Sequence, residues 1–157
     1  MQNPIAIANY FIKRSMADGT ELTPMKLVKL VYIAHGWYLA LKGEPLLPEA
    51  IEAWKYGPVV SKVYHTFKKY GRDCITSLEY QGNNIPDVTD SETTTFLDKI
   101  WDVYKKYTGL QLSTLTHQPN TPWDIAWNSE NGCNAKSVII RNELIEAHYK
   151  EKIVVKK

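Results

Sequence analysis

TPMKLVKLVYIAHGWYLALKG, residues Thr23 to Gly43, decides the fold. Thr23 offers a side-chain oxygen as a helix cap, and Pro24 follows at the first helical position, where its missing N–H costs nothing. Lys42-Gly43 marks the far end. Between these signals Leu27, Leu30, Val31, Ala34, Tyr38 and Leu41 recur at helical spacing, which predicts a central helix over Pro24 to Lys42 with Trp37 beside its apolar stripe. Lys26 and Lys29 fall off that stripe and read as part of a solvated polar face. The apolar run Leu30 to Leu41 is 12 residues long with His35 inside it. That is well short of the ~20 a membrane-spanning helix needs, so a buried helix is expected.

Outward from this helix the punctuation is clear. Upstream, Ile5, Ala8, Ile12 and Met16 predict a short amphipathic helix stopped by Asp18-Gly19. Downstream, two prolines in GEPLLPEA break the helix into an extended connector. Ile51 to Tyr56 reads as a short strand, with Ile51 and Ala53 on one face and Glu52, Trp54 and Tyr56 on the other. Gly57-Pro58 reads as a rigid corner. Val59, Val63, Phe67 and Tyr70 then return to helical spacing up to Gly71, and Cys74 to Asp90 reads as loop with one short strand. Asp90 or Ser91 caps a further helix that buries Phe96, Leu97, Ile100, Val103, Tyr104 and Tyr107 and ends at Gly109. Ser113 and Thr121 read as caps of two short turns, the second with Pro122 leading and Asp124 closing a capping box. SVII is a candidate strand, Asn142 to Lys152 a last helix, and residues 151–157 a frayed tail. The sum is one compact, mainly α domain over 1–157, with about five to seven helices and a small two- or three-stranded β element.

Bulk properties agree with one soluble domain. The 157 residues carry 44% hydrophobic and 23% charged residues with a formal net charge of +2, close to ordinary globular values, so disorder and fibrous repeats are disfavoured. Cys74 and Cys133 stand in no disulfide or metal spacing and suit reduced thiols in a cytoplasmic protein. The N-terminus shows no basic start followed by an apolar block, so no secretory signal is expected. A sequence pI of about 8.4 lies below the value of ~9 typical of nucleic-acid binders.

The chemistry of the sequence is sparse. No CxxC, HxxxH or HExxH spacing points to a metal, and GPVVSK lacks the second glycine and the Gly-Lys-Ser/Thr ending of a phosphate loop. Aromatics are the excess, with five Trp and ten Tyr. Most recur at helical spacing with Leu, Ile and Val and belong to the core. Trp54 and Tyr56 stand beside a charge instead. Tyr56 reads as contact surface, and Trp54 as either a buried spacer or contact surface.

Three stretches carry a resemblance. LTPMKLVKLVYIAHGWYLALKGEPLLPE, IEAWKYGPVVSKVY and LSTLTHQPNTPW together resemble the SocA/Panacea-type antitoxin family, also known as phage-associated GepA-like proteins. The second stretch follows the family pattern without a gap, and the third brings Thr116, His117, Pro122 and Trp123 into register. Departures are small: Val28 stands where glutamine is common and Leu47 where phenylalanine is common. Cys74 to Asp90 matches nothing in the family. The resemblance implies a mainly helical domain with a small β element, encoded in bacteria or prophages, that neutralises a toxin by direct protein binding without a cofactor. In at least one system of this kind the antitoxin hands its toxin to the ClpXP protease.

On that footing the expected partner-binding edge comprises Trp54, Lys55, Tyr56, Gly57, Pro58, Tyr64, His117 and Trp123, with no catalytic and no metal-binding residues. His117 also reads as a structural histidine bonded to backbone carbonyls or a tyrosine. Two other classes stay open: a nucleic-acid-binding regulator using the central helix or Lys68, Lys69 and Arg72, and a thiol hydrolase using Cys133 and His117.

Overall fold

The computed structural model describes residues 1–129 and 137–155. Seven α-helices stand among the described residues: α1 (Pro4–Asp18), α2 (Pro24–Lys42), α3 (Ser61–Phe67), α4 (Ser91–Tyr104), α5 (Gly109–Thr116), the single turn α6 (Pro122–Asp124) and α7 (Asn142–Val155). A three-stranded antiparallel sheet, in the order β2-β1-β3, is built from β1 (Ile51–Trp54), β2 (Gly57–Val59) and β3 (Val138–Ile140). The mainly α architecture with a small β element is the one the sequence predicts.

Local chemistry sets the helix ends. The Thr23 side chain accepts a hydrogen bond from the Lys26 N–H, Pro24 occupies the first turn of α2, and Gly43 closes it in the left-handed region at φ 74°. Asn3 and Asp90 cap α1 and α4 in the same way. The helix expected to be capped at Ser113 begins instead at Gly109, where Thr108 and Gln111 form a reciprocal capping box. Ser113 lies inside α5.

α2 is the hub of the fold, with thirteen of its nineteen residues buried. α7 and α5 pack along it, and α1, α3, α4 and β2 take the remaining sides. Such a helix cannot keep a solvated face, so the expectation for Lys26 and Lys29 is overturned: each is 4% exposed. Three residues expected in the apolar faces, Met16, Leu41 and Val103, are exposed. All three sit in the last turns of α1, α2 and α4.

Boundaries differ in four further places. α3 begins two residues late, at Ser61, and passes into a 3₁₀ turn over Lys68–Tyr70. α4 stops at Tyr104, leaving Tyr107 half-buried beyond it. The strand expected between Cys74 and Asp90 is only an isolated bridge, Gln81 to Asn84. α7 runs to Val155 and takes in much of the segment expected to fray.

Close packing of α7 on α2 rests on two residues. His35 Nδ1 accepts the Leu47 N–H at 3.3 Å, which leaves its Nε2–H to donate to Asn142 Oδ1 at 3.0 Å. Burial holds this imidazole below the ordinary histidine pKa and so neutral, as that bonding pattern requires. The next residue, Gly36, receives the Tyr149 ring: a Cβ at Gly36 would lie 2.3 Å from Tyr149 Cε2. Tyr149 is buried and hemmed by Trp37 and Tyr32, with ring centroids at 5.2 and 6.4 Å, so it has nowhere to swing.

Gly36→Ala should therefore destabilise the fold by about 1–3 kcal/mol through overpacking. At ~2–4 °C per kcal/mol for a chain of this size, calorimetry should record a fall of several degrees in Tm. An unchanged Tm would mean that α7 does not dock this closely.

Candidate functional site

The site is the β1–β2 hairpin and what holds it. β1 alternates as expected, with Ile51 and Ala53 buried and Glu52 and Trp54 half-buried. The expected continuation of the strand to Tyr56 and the corner at Gly57-Pro58 are both displaced. Trp54 pairs with Gly57 and Ala53 with Pro58, so the chain reverses at Lys55-Tyr56 and Gly57-Pro58 already belong to β2. Lys55 and Tyr56 keep negative φ, and the twist mismatch of the hairpin is absorbed at Gly57, φ 123°. Pro58 is tolerated because β2 lies at a sheet edge, where a missing N–H breaks no ladder bond.

Three helices hold this hairpin through its carbonyl groups. From α2, Lys29 Nζ donates to the Pro58 carbonyl at 2.8 Å. From α5, Ser113 Oγ donates to the Tyr56 carbonyl at 2.9 Å. From α6, Trp123 Nε1 donates to the Trp54 carbonyl at 2.5 Å. The carbonyls of residues 54, 56 and 58 are thus each taken by a side chain from a different helix. Sequence reasoning assigned neither Lys29 nor Ser113 to this role. A signal for Lys29 was present: Leu27, Val28, Leu30 and Val31 surround it with apolar residues on every side, and a helix apolar all round is buried, lysines included.

Lys29 carries the least ordinary chemistry here. Burial pushes its ammonium from the usual 10.5 down to about 7. Its Nζ would also lie 3.0 Å from a Cβ at Gly57, so a side chain there, already strained by φ, would crowd the amine as well. Lys26, one turn earlier on the same face, takes a carbonyl in the same manner: its Nζ donates to the Lys105 carbonyl at the end of α4, at 2.5 Å, and stands 5.6 Å from the Trp101 ring. Burial lowers its pKa too. Both amines are thus turned into the fold, while Lys42 at the end of α2 pairs with Glu92 at 3.0 Å and Lys69 with Glu79 at 2.9 Å.

The expected edge residues divide by exposure. Tyr56 is 68% exposed at the hairpin tip, with the Lys55 ammonium 5.4 Å from its ring, and Tyr64 is 38% exposed. Trp54 is half-buried, edge-on to Tyr64 at 4.9 Å, its Nε1 donating to Glu52 Oε1 at 3.2 Å. Gly57, Pro58 and Trp123 are buried. His117 is half-buried, bonds the Ser113 carbonyl through Nδ1 and meets the Trp123 ring edge-on at 5.4 Å. The two halves of the predicted edge do meet in space, but Trp123 reaches the hairpin from behind and His117 packs on Trp123.

A cavity of about 340 Å³ opens beside the hairpin, between Met25 and Lys29 of α2, Trp54 to Tyr56, and Tyr64 of α3. Among the described residues no cluster of three His, Cys, Asp or Glu side chains could hold a metal ion, and no helix is long and apolar enough to cross a membrane. Cys133, the thiol of the hydrolase reading, lies outside the described residues.

The family model for the antitoxin SocA-like Panacea domain matches residues 27–124, a span that starts in α2 and takes in the hairpin and all of α6. Antitoxin SocA of Caulobacter vibrioides is 28% identical over 130 residues, covering 78% of this chain and 69% of that relative. No solved structure matches.

The buried ammonium gives stability a pH dependence of definite sign. Above about 7 the folded chain releases the Lys29 proton, whereas the unfolded chain keeps it up to 10.5. The unfolded state then binds more protons, so stability climbs from pH 7 toward 10 with a slope of up to about 1.4 kcal/mol per pH unit from this group. Denaturant unfolding at pH 7, 8 and 9 should show this rise in wild type and a distinctly shallower one in Lys29→Met. Parallel profiles would mean that Lys29 titrates as an exposed lysine does.

Proposed function

Because the chain belongs to the SocA-like antitoxin family with the Panacea domain, we propose that it neutralises a toxin protein by binding it directly, with the β1–β2 hairpin as the contact edge. The observation that carries this reading is the exposure of Tyr56 at the tip of a hairpin whose backbone is fixed from behind. A tyrosine removes a large area from water with few rotamers to freeze and keeps a polar tip, which is why it dominates binding hot spots. A contact edge that is already ordered gives up less entropy on association than a loose loop would.

Roles within the edge follow from burial. Tyr56, Lys55, Tyr64 and the outer part of Trp54 meet the toxin. Gly57, Pro58, His117 and Trp123 set the shape that these side chains present. Binding in the cytoplasm, rather than turnover of a small molecule, is the activity. Delivery of the bound toxin to the ClpXP protease would build on the same contact, and it differs in one measurable respect: toxin abundance falls under delivery and stays constant under occlusion.

Co-expression with the toxic product of a neighbouring reading frame, followed by pull-down, tests the edge. Tyr56→Ala should weaken toxin binding on the order of 30-fold, the loss expected for a hot-spot residue worth ~2 kcal/mol. Because the Tyr56 side chain is exposed, folding stability should stay within about 0.5 kcal/mol of wild type. Trp54→Ala should weaken binding as well, with some loss of stability from its contact with Tyr64. Unchanged affinity in both variants would remove the hairpin from the interface.

A further inference from the structure

The cavity beside the hairpin has walls of one electrical sign. Lys29, Lys55 and Lys68 all line it, and among the described residues no Asp or Glu does. The Glu52 carboxylate of β1 is occupied elsewhere, accepting from Trp54 Nε1 and from Ser137 Oγ at 2.8 Å. Lys29 is 4% exposed and donates one hydrogen bond, to the Pro58 carbonyl. An ammonium has three donors, so two are left without an acceptor among the described residues. Burying a charge without a counter-charge is costly, and the depressed Lys29 pKa reflects that cost.

Apart from these amines and Ser113, whose hydroxyl is spent on the Tyr56 carbonyl, the lining is mainly apolar and aromatic. Trp54 and Tyr64 form an edge-to-face wall, and Met25 and Tyr56, 45% and 68% exposed, stand at the mouth. A ligand that matches this surface carries an apolar group and an anionic group close together. At about 340 Å³ the space holds the side chain of one residue with a carboxylate, and not a longer run of chain. A chain terminus supplies both groups from a single Cα and needs to enter only once.

We propose that this cavity receives the C-terminal residue of a partner polypeptide, with its apolar side chain against Trp54 and Tyr64 and its free carboxylate on the Lys29 side. The inference rests on the reading that the hairpin edge meets a protein partner, and it specifies the chemistry of that contact. Lys55 and Lys68 at the rim steer the same negative charge inward.

N-acetyl-phenylalanine as the free acid, and the same compound as its amide, are the probes, titrated into the full chain under ¹H–¹⁵N NMR. The free acid should shift the Trp54 indole N–H and the Gly57 amide, and bind at least about tenfold more tightly than the amide. Lys29→Met should abolish that preference. If Lys29→Met does not fold, the comparison of acid with amide on the wild-type chain decides alone. Equal binding of the two, shifts only at other sites, or no shift with either would overturn the inference. So would equally tight binding of N-acetyl-phenylalanyl-glutamate amide, which would assign the carboxylate to an internal acidic side chain. Failure of these probes while Tyr56→Ala still loses the toxin removes the terminal-carboxylate pocket and leaves the edge intact. Indifference of toxin binding to Tyr56 and Trp54 removes the edge itself.

Discussion

A buried ammonium on a backbone carbonyl, Lys29 on Pro58, is the interaction on which the rest of the site depends. Pro58 sits in an edge strand three residues long, too short to hold its place by ladder bonds alone. The bond pins that strand to the most buried helix of the fold. Bringing an amine into the core is unfavourable by itself, and the hydrogen bond to Pro58 offsets part of that cost. Gly57 is the counterpart on the other side, because its φ of 123° strains any larger residue and a Cβ there would crowd the amine at 3.0 Å. Lysine, glycine and proline at these positions are therefore one structural unit, although the lysine is 28 residues from the glycine in sequence.

The hub helix transmits this order to the rest of the chain. Along one flank of α2, Lys26 ties the end of α4 and Lys29 ties the hairpin, while the other end of the helix carries His35 and Gly36 for α7. Ser113 and Trp123 add two more donors to the hairpin from α5 and α6. The hairpin is thereby fixed from three directions, and its outer face is left to Lys55 and Tyr56. Under the proposed reading, a partner would therefore meet an edge whose backbone is already held in place.

Much of this was legible in the sequence, and the failures share a cause. The ends of α2 were readable because Thr23, Pro24 and Gly43 act locally through caps and φ preferences. The alternation of Ile51 to Trp54 was readable because it has a period of two. What escaped notice required knowing a neighbour. Lys29 looks solvated until β2 is placed beside it, and Ser113 looks like a cap until the Tyr56 carbonyl arrives in front of it. The hairpin corner was displaced because Gly57 is special for strand pairing and for the nearby amine, and not for the turn itself. Tyr56, expected at the end of the strand as a surface residue, is exposed but at the turn, since a tyrosine flanked by Lys55 and Gly57 has few apolar neighbours to bury it.

Held by three donors, the hairpin is a stiff edge in the free protein, a property that backbone ¹⁵N relaxation measures. A stiff hairpin has order parameters for Lys55, Tyr56 and Gly57 near ~0.85, the level of rigid secondary structure. Values below ~0.6 at these three amides would describe a flexible loop that orders only on contact, and would contradict it.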